Sequence, residues 1–178
     1  MRPRILIAGI GNIFFGDDGF GVEVIRRLGT QTLPAEVKMM DVGIRGVHLS
    51  FELMDGYDIA ILVDAAPRGE SPGTITILEP DVTDVVAEAN RAQAAGEMPL
   101  FDSHGMGPVN VLAVLETVDA AVDRVLLVAC EPADCTEGIG LSPAVDAAVD
   151  TAVSQVLALL AGELGDLAIG STPQAQRG

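Results

Sequence analysis

Tryptophan is absent, tyrosine occurs once and phenylalanine five times, so aromatic residues make up 3% of a chain that is 49% apolar. A core with so little aromatic surface has to be built from Ala, Val, Leu and Ile, which suits aliphatic strands covered by Ala-rich helices. Basic residues are scarce as well: 10 Lys plus Arg stand against 26 Asp plus Glu, a formal net charge of -16. Such a surface repels phosphate backbones and anionic headgroups, which argues against nucleic acid and membrane as partners. The two cysteines, Cys130 and Cys135, flank Pro132 at a spacing that fits neither a Cys-x-x-Cys redox motif nor a zinc knuckle. They are expected to be reduced thiols, since nothing else in the chain points to an oxidising compartment.

Long apolar runs are missing too. None reaches the roughly 18 residues that cross a bilayer. The stretch Ile5 to Phe15 after Arg2 and Arg4 imitates a signal peptide, but Asp17 and Asp18 follow it where a small-residue cleavage site belongs. A soluble, cytoplasmic protein is the expectation. At 178 residues the chain can bury a core without disulfides or metals. It shows no internal repeat and no linker, which predicts one α/β domain over residues 1–162 and a flexible tail over 163–178.

What is present alternates between strand and helix patterns. Ile5 to Ala8 is a short aliphatic run ended by Gly9, Gly11 and Asn12, and Asp18 to Leu28 places Phe20, Val24, Ile25 and Leu28 on one helical face, with Asp17 or Asp18 as a cap. Val37 to Val42 reads as a strand and Val47 to Met54 as a short amphipathic helix. Asp58 to Asp64 contains the unbroken run Ile59 to Val63, the pattern of a strand covered on both faces. Thr74 to Leu78 alternates like an edge or antiparallel strand after the Pro72-Gly73 turn. Helical pieces follow over Val82 to Ala95 and Gly105 to Asp119, then a strand over Arg124 to Ala129, and a long helix from Pro143 to Leu160 with Ser142 as its cap. This order predicts a three-layer α/β/α sandwich around a twisted, mostly parallel sheet of about five strands. Loops leaving the carboxyl ends of such strands converge on one crevice, where ligands bind.

Three residues fall on loops of that kind. Asp18 sits in Asp17-Asp18-Gly19-Phe20-Gly21 after the first strand, where a purely structural role would be helix capping. Asp64 directly follows a buried strand, and a carboxylate there must be hydrogen-bonded, paired or metal-bound to offset its desolvation. His104 lies in the Gly- and Pro-punctuated loop Asp102 to Pro108, whereas the other histidine, His48, sits within an amphipathic helix and reads as a surface residue. Two carboxylates and an imidazole form a plausible open set of ligands for a borderline divalent ion. Gly9-Ile10-Gly11-Asn12 resembles the opening of a dinucleotide fingerprint, but the third glycine is missing and two carboxylates stand where a phosphate would lie. The glycines are expected to shape a tight loop instead.

Taken in order, Gly9-Ile10-Gly11-Asn12 with Asp17 to Gly21, Asp41 to Leu49, Leu62-Val63-Asp64-Ala65 with Pro72-Gly73-Thr74, Ser103-His104 and Gly138 to Pro143 resemble the hydrogenase maturation proteases over residues 4 to 160. That resemblance implies a twisted-sheet α/β sandwich and an endopeptidase that removes a C-terminal extension from the large subunit of a nickel-iron hydrogenase. It implies that Asp18, Asp64 and His104 contact nickel already installed in the precursor, with no tightly bound resident cofactor. One departure from the pattern is Val42-Gly43-Ile44-Arg45-Gly46, where Ile44 replaces a usual threonine. Segment 81–99 is a further candidate for substrate specificity. Two other readings compete with processing: a precursor- or nickel-binding maturation factor of the same fold that does not cut, and a nucleotide-binding protein built on the Gly9 loop.

Overall fold

A computed structural model of the chain describes residues 2–44, 46–80 and 122–165. Its elements are β1 (Ile5–Ile10), a 3-10 turn (Gly16–Gly19), α1 (Phe20–Leu28), β2 (Val37–Gly43), α2 (Gly46–Leu53), β3 (Ile59–Ala65), β4 (Ile75–Leu78), β5 (Arg124–Cys130) and a final helix, α3 (Pro143–Leu164). The strands form one sheet in the order β2-β1-β3-β5-β4. Four run parallel, and only β4, at the edge, is antiparallel, pairing Ile75 with Cys130 through Leu78 with Leu127. This is the expected α/β architecture, including the antiparallel edge that the alternating Thr74 to Leu78 segment suggests.

The unbroken apolar runs are explained by burial on both faces of the sheet. Successive side chains on a strand point to opposite sides. Ile5 and Ile7 of β1 therefore join Ile59, Ile61 and Val63 of β3 beneath α1 and α3, where Phe20, Val24, Leu28, Val149, Val156 and Leu160 close the layer. Leu6, Ala8 and Ile10 point the other way, with Ala60 and Leu62, against Leu49 and Leu53 of α2. Each face of the sheet is covered by aliphatic side chains.

By length and apolar composition α3 meets the description of a membrane-crossing helix, contrary to the expectation that no such segment exists. Its packing identifies it instead as a core helix: Val145, Val149, Ala152, Val156 and Leu160 are fully buried against the sheet, while Asp146 and Asp150 are exposed. The helix also runs beyond the expected end, to Leu164, and Glu163 is tied to the fold by a 2.6 Å bond from Arg124 Nη1. The expected helices at 82–95 and 105–119, segment 81–99 and the tail beyond 165 lie outside the described residues.

Strand order matters for function. β1 is flanked by β2 on one side and β3 on the other, with α1 packed on one face and α2 on the opposite one. The chain thus leaves β1 in one direction and returns past it in the other. This creates a crevice between the carboxyl ends of β1 and β3, the place where open α/β sheets bind their ligands.

Candidate active site at the carboxyl ends of β1 and β3

The loop after β1 is pressed against the sheet by its glycines. Gly11 has a positive φ of 136°, and a Cβ there would lie 1.8 Å from the Asp18 carbonyl oxygen. A Cβ on Gly21 would lie 2.2 Å from the Val63 carbonyl oxygen and 2.3 Å from that of Ile10, so the start of α1 sits directly on the ends of β1 and β3. The glycines admit backbone where a dinucleotide site would admit phosphate.

In this loop two adjacent carboxylates take different partners. Asp17 turns inward and is fully buried. It accepts hydrogen bonds from the backbone N–H groups of Ala133 (2.7 Å), Asp134 (2.9 Å) and Ser142 (2.6 Å) and from the Ser142 hydroxyl (2.9 Å). Burial pushes its pKa upward, but these four donors outweigh burial and hold the carboxyl below its ordinary value. Asp17 is therefore a clamp between the loop after β1 and the loop between β5 and α3. Neither aspartate caps α1, whose N-cap is Gly19, whereas Ser142 is the N-cap residue of α3 as expected but gives its hydroxyl to Asp17 instead of to the first turn of the helix.

Asp18 turns the other way. It is partly exposed, and its Oδ2 accepts a 2.7 Å bond from the Asn12 N–H. Across the crevice, Asp64 at the end of β3 is only 4% exposed. Burial, first, and the nearby charge of Asp18, second, raise its carboxyl well above the usual carboxylate range, and the Ala65 backbone N–H offsets this only in part. The structure thus brings Asp18 and Asp64 together as an interacting pair. His104 lies outside the described residues, and among the described residues no group of three or more His, Cys, Asp and Glu side chains is arranged to hold a metal ion. His48 is exposed on α2, as expected for a surface residue.

A third buried carboxylate escaped notice in the sequence. Glu131 follows β5 and accepts bonds from the N–H groups of Arg68 (2.7 Å) and Gly69 (3.3 Å), which fastens the loop after β3. The signal that singles out Asp64, an acidic residue directly after an apolar strand, is present at Glu131 too. Asp17 and Glu131 together tie the loops after β1, β3 and β5.

The thiols are free, as expected, with Cys130 buried and Cys135 exposed. Burial and the charges of Asp17 and Glu131 push the Cys130 thiol up to about 12, and burial with the charges of Asp18, Asp17 and Asp134 raises Cys135. A nucleophilic cysteine needs the opposite shift, so neither is activated for attack.

A doubly wound sheet carrying at its switch point two neighbouring carboxylates, one of them disfavoured as an anion by burial, has the equipment of an acid-base enzyme. Residues 22–159 match the family model described as hydrogenase maturation protease. The Hydrogenase 2 maturation protease of Escherichia coli is 32% identical over 164 residues, covering 88% of this chain and 90% of that one. The hydrogenase expression/formation protein HupM of Azotobacter chroococcum is 35% identical over 168 residues, covering 93% and 75%. The solved structure of the hydrogenase maturating endopeptidase HybD from E. coli superposes with a TM-score of 0.70 at 29% identity, covering 91% of this chain and 93% of its own. The chain belongs to the hydrogenase maturation protease family and is a peptidase.

Proposed function

We propose that this peptidase removes the C-terminal extension of a nickel-iron hydrogenase large-subunit precursor after nickel insertion, that it works in the cytoplasm, and that Asp18, Asp64 and His104 are the residues that meet the metal. Nickel is part of the substrate in this reading, and the enzyme holds no tightly bound cofactor of its own. The supporting observation is the carboxylate pair. Asp64 is disfavoured as an anion by burial and by Asp18.

A cation carried in by the precursor removes both obstacles. It attracts the charge that burial penalises and offsets the repulsion between the two carboxylates, which favours the anionic form of Asp64 as the substrate binds. A nickel-free precursor brings no such charge. In the hydrolysis itself, water oxygen bonds to the scissile carbonyl carbon, the C–N bond breaks, and the amine departs with a proton. In this reading an ionised aspartate of the crevice takes a proton from the attacking water, or the substrate's metal ion would polarise the carbonyl. Asp17 and Glu131 keep the surrounding loops in place.

The test is to incubate the protein with nickel-loaded and nickel-free precursor, alongside Asp18→Ala, Asp64→Ala and His104→Ala. A shortened large subunit is expected only with nickel and only with the unaltered trio. Tight binding of the nickel-loaded precursor without shortening would replace this reading with that of a non-cutting maturation factor.

A further inference from the structure

Around the crevice stand large apolar side chains that the fold leaves uncovered. Ile13 is 48% exposed, Phe14 57% and Ile139 84%, and Ile44 is exposed beside them at the end of β2. Single exposed apolar residues are ordinary, but a contiguous group bordering a cleft marks a binding surface. These four belong to loops that touch one another. The Gly138 N–H donates to the Phe14 carbonyl (2.8 Å), the Gly16 N–H to the Gly138 carbonyl (2.9 Å), and the Gly11 N–H to the Gly43 carbonyl (3.1 Å). Phe15 and Gly138 form an isolated parallel bridge, so Phe14 and Ile139 stand on adjoining hydrogen-bonded loops, with Ile13 next to Phe14. The first of these loops begins at Asn12, whose side-chain oxygen accepts from the Phe14 N–H (3.0 Å) and whose own N–H is bonded to Asp18.

Placing bulky apolar side chains on well-fastened loops in water gains nothing for the fold. Held in place beforehand, they do lower the ordering cost of binding something else. The charge around them narrows what that is. Segments 10–20, 41–44 and 131–142 contain Asp17, Asp18, Asp41, Glu131, Asp134 and Glu137, against which the one basic residue flanking them in sequence is Arg45, after Ile44. An acidic occupant would be repelled.

We propose that Ile13, Phe14 and Ile139, flanked by Ile44, form the docking rim for the polypeptide substrate, and that they take an extended apolar stretch of it free of acidic side chains next to the scissile bond. This rests on the reading of Asp18 and Asp64 as the cleavage site, and it assigns to the rim the choice of which chain segment enters.

The experiment compares cleavage of the nickel-loaded precursor by the wild-type protein, by the Phe14→Ser/Ile139→Ser double variant, and by Phe51→Ser, which alters an equally exposed apolar residue on the outer face of α2. The expected result for the double variant is a rise in KM of roughly tenfold or more, with kcat and the melting temperature little changed, because the lost contacts exist only in the complex. Phe51→Ser should keep the wild-type KM. A precursor with aspartate substituted into its apolar stretch should show a comparable rise with the wild-type enzyme. An unchanged KM in the double variant, or an equal rise in Phe51→Ser, overturns the rim. Rim-dependent binding without cutting keeps the rim and removes the cleavage reading, whereas normal cutting by the double variant removes the rim alone. Absence of both binding and cutting in the wild type overturns both.

Discussion

The two ends of the sheet handle charge in opposite ways. At the amino end, cations meet partners: the Arg4 guanidinium donates to the carbonyls of Asp55 (2.7 Å) and Gly56 (2.6 Å) and lies 4.8 Å from the centre of the Tyr57 ring. Lys38 pairs with Glu52 at 2.6 Å, and Tyr57 donates its hydroxyl to the same carboxylate. Arg124 forks onto Glu79 and reaches Glu163. At the carboxyl end, Asp17 and Glu131 are satisfied by backbone N–H groups, and Asp18 and Asp64 repel each other. The first arrangement is complete without a ligand. The second retains negative charge that a cation would complement, and the difference separates the end that maintains the fold from the end that does chemistry.

Changes that break this contrast should rank as follows. Asp64→Asn should lower kcat/KM on the nickel-loaded precursor by on the order of 100-fold or more, the usual range for a lost acid-base group. It should also raise the melting temperature at neutral pH. The folded-state pKa of Asp64 lies above its unfolded value, so its contribution to stability is present in acid and is lost as pH rises through the raised value. Asparagine removes that loss. A variant both inactive and less stable would show that Asp64 is a structural residue.

Asp17→Ala should cost about 3 kcal/mol in chemical denaturation, because three partly buried backbone N–H groups and the Ser142 hydroxyl lose their acceptor. The sign of its pH dependence is reversed relative to Asp64. The folded-state pKa of Asp17 is depressed, so its stabilisation is present above the ordinary carboxylate value and disappears as pH falls through the lowered one. Melting curves of the wild type and Asp17→Asn from pH 6 to pH 2 should converge at the acid end. Parallel curves would remove Asp17 from this account.

Gly21→Ala should destabilise by about 2 kcal/mol, since the added methyl meets the carbonyls of Val63 and Ile10 and neither can swing aside. Smallest of all, Arg124→Ala should lower the melting temperature slightly, and less so in high salt, with kcat/KM unchanged. A fall in kcat/KM would mean that the amino end is not independent of the crevice.

Much of this was legible beforehand because some signals are local. Ile59 to Val63 reads as a buried strand since five aliphatic residues in a row have no other economical placement, and the polar residue that ends the run stands out for the same reason. Element ends moved by a residue or two, and α3 continued past the expected boundary because Leu164 still packs against the core. Glu131 carried the same signal as Asp64 but its two bonds to the loop at 68–69 come from far along the chain.

Asp17 and Asp18 mark where sequence reading ends. As neighbours of the same residue type they are indistinguishable by propensity or pattern. The donors that draw Asp17 inward stand 116 to 125 residues away, at Ala133 to Ser142, and the close approach of Gly21 to Val63 and Ile10 seats the loop on the sheet. The sequence by itself determined the alternation of aliphatic strands and helices, and hence a parallel sheet with a crevice at its carboxyl edge. The family resemblance favoured Asp18 for the site, but only the tertiary structure decided that Asp17 is a clamp, because that role depends on hydrogen-bond donors and a low-dielectric environment that exist only once distant segments have packed together.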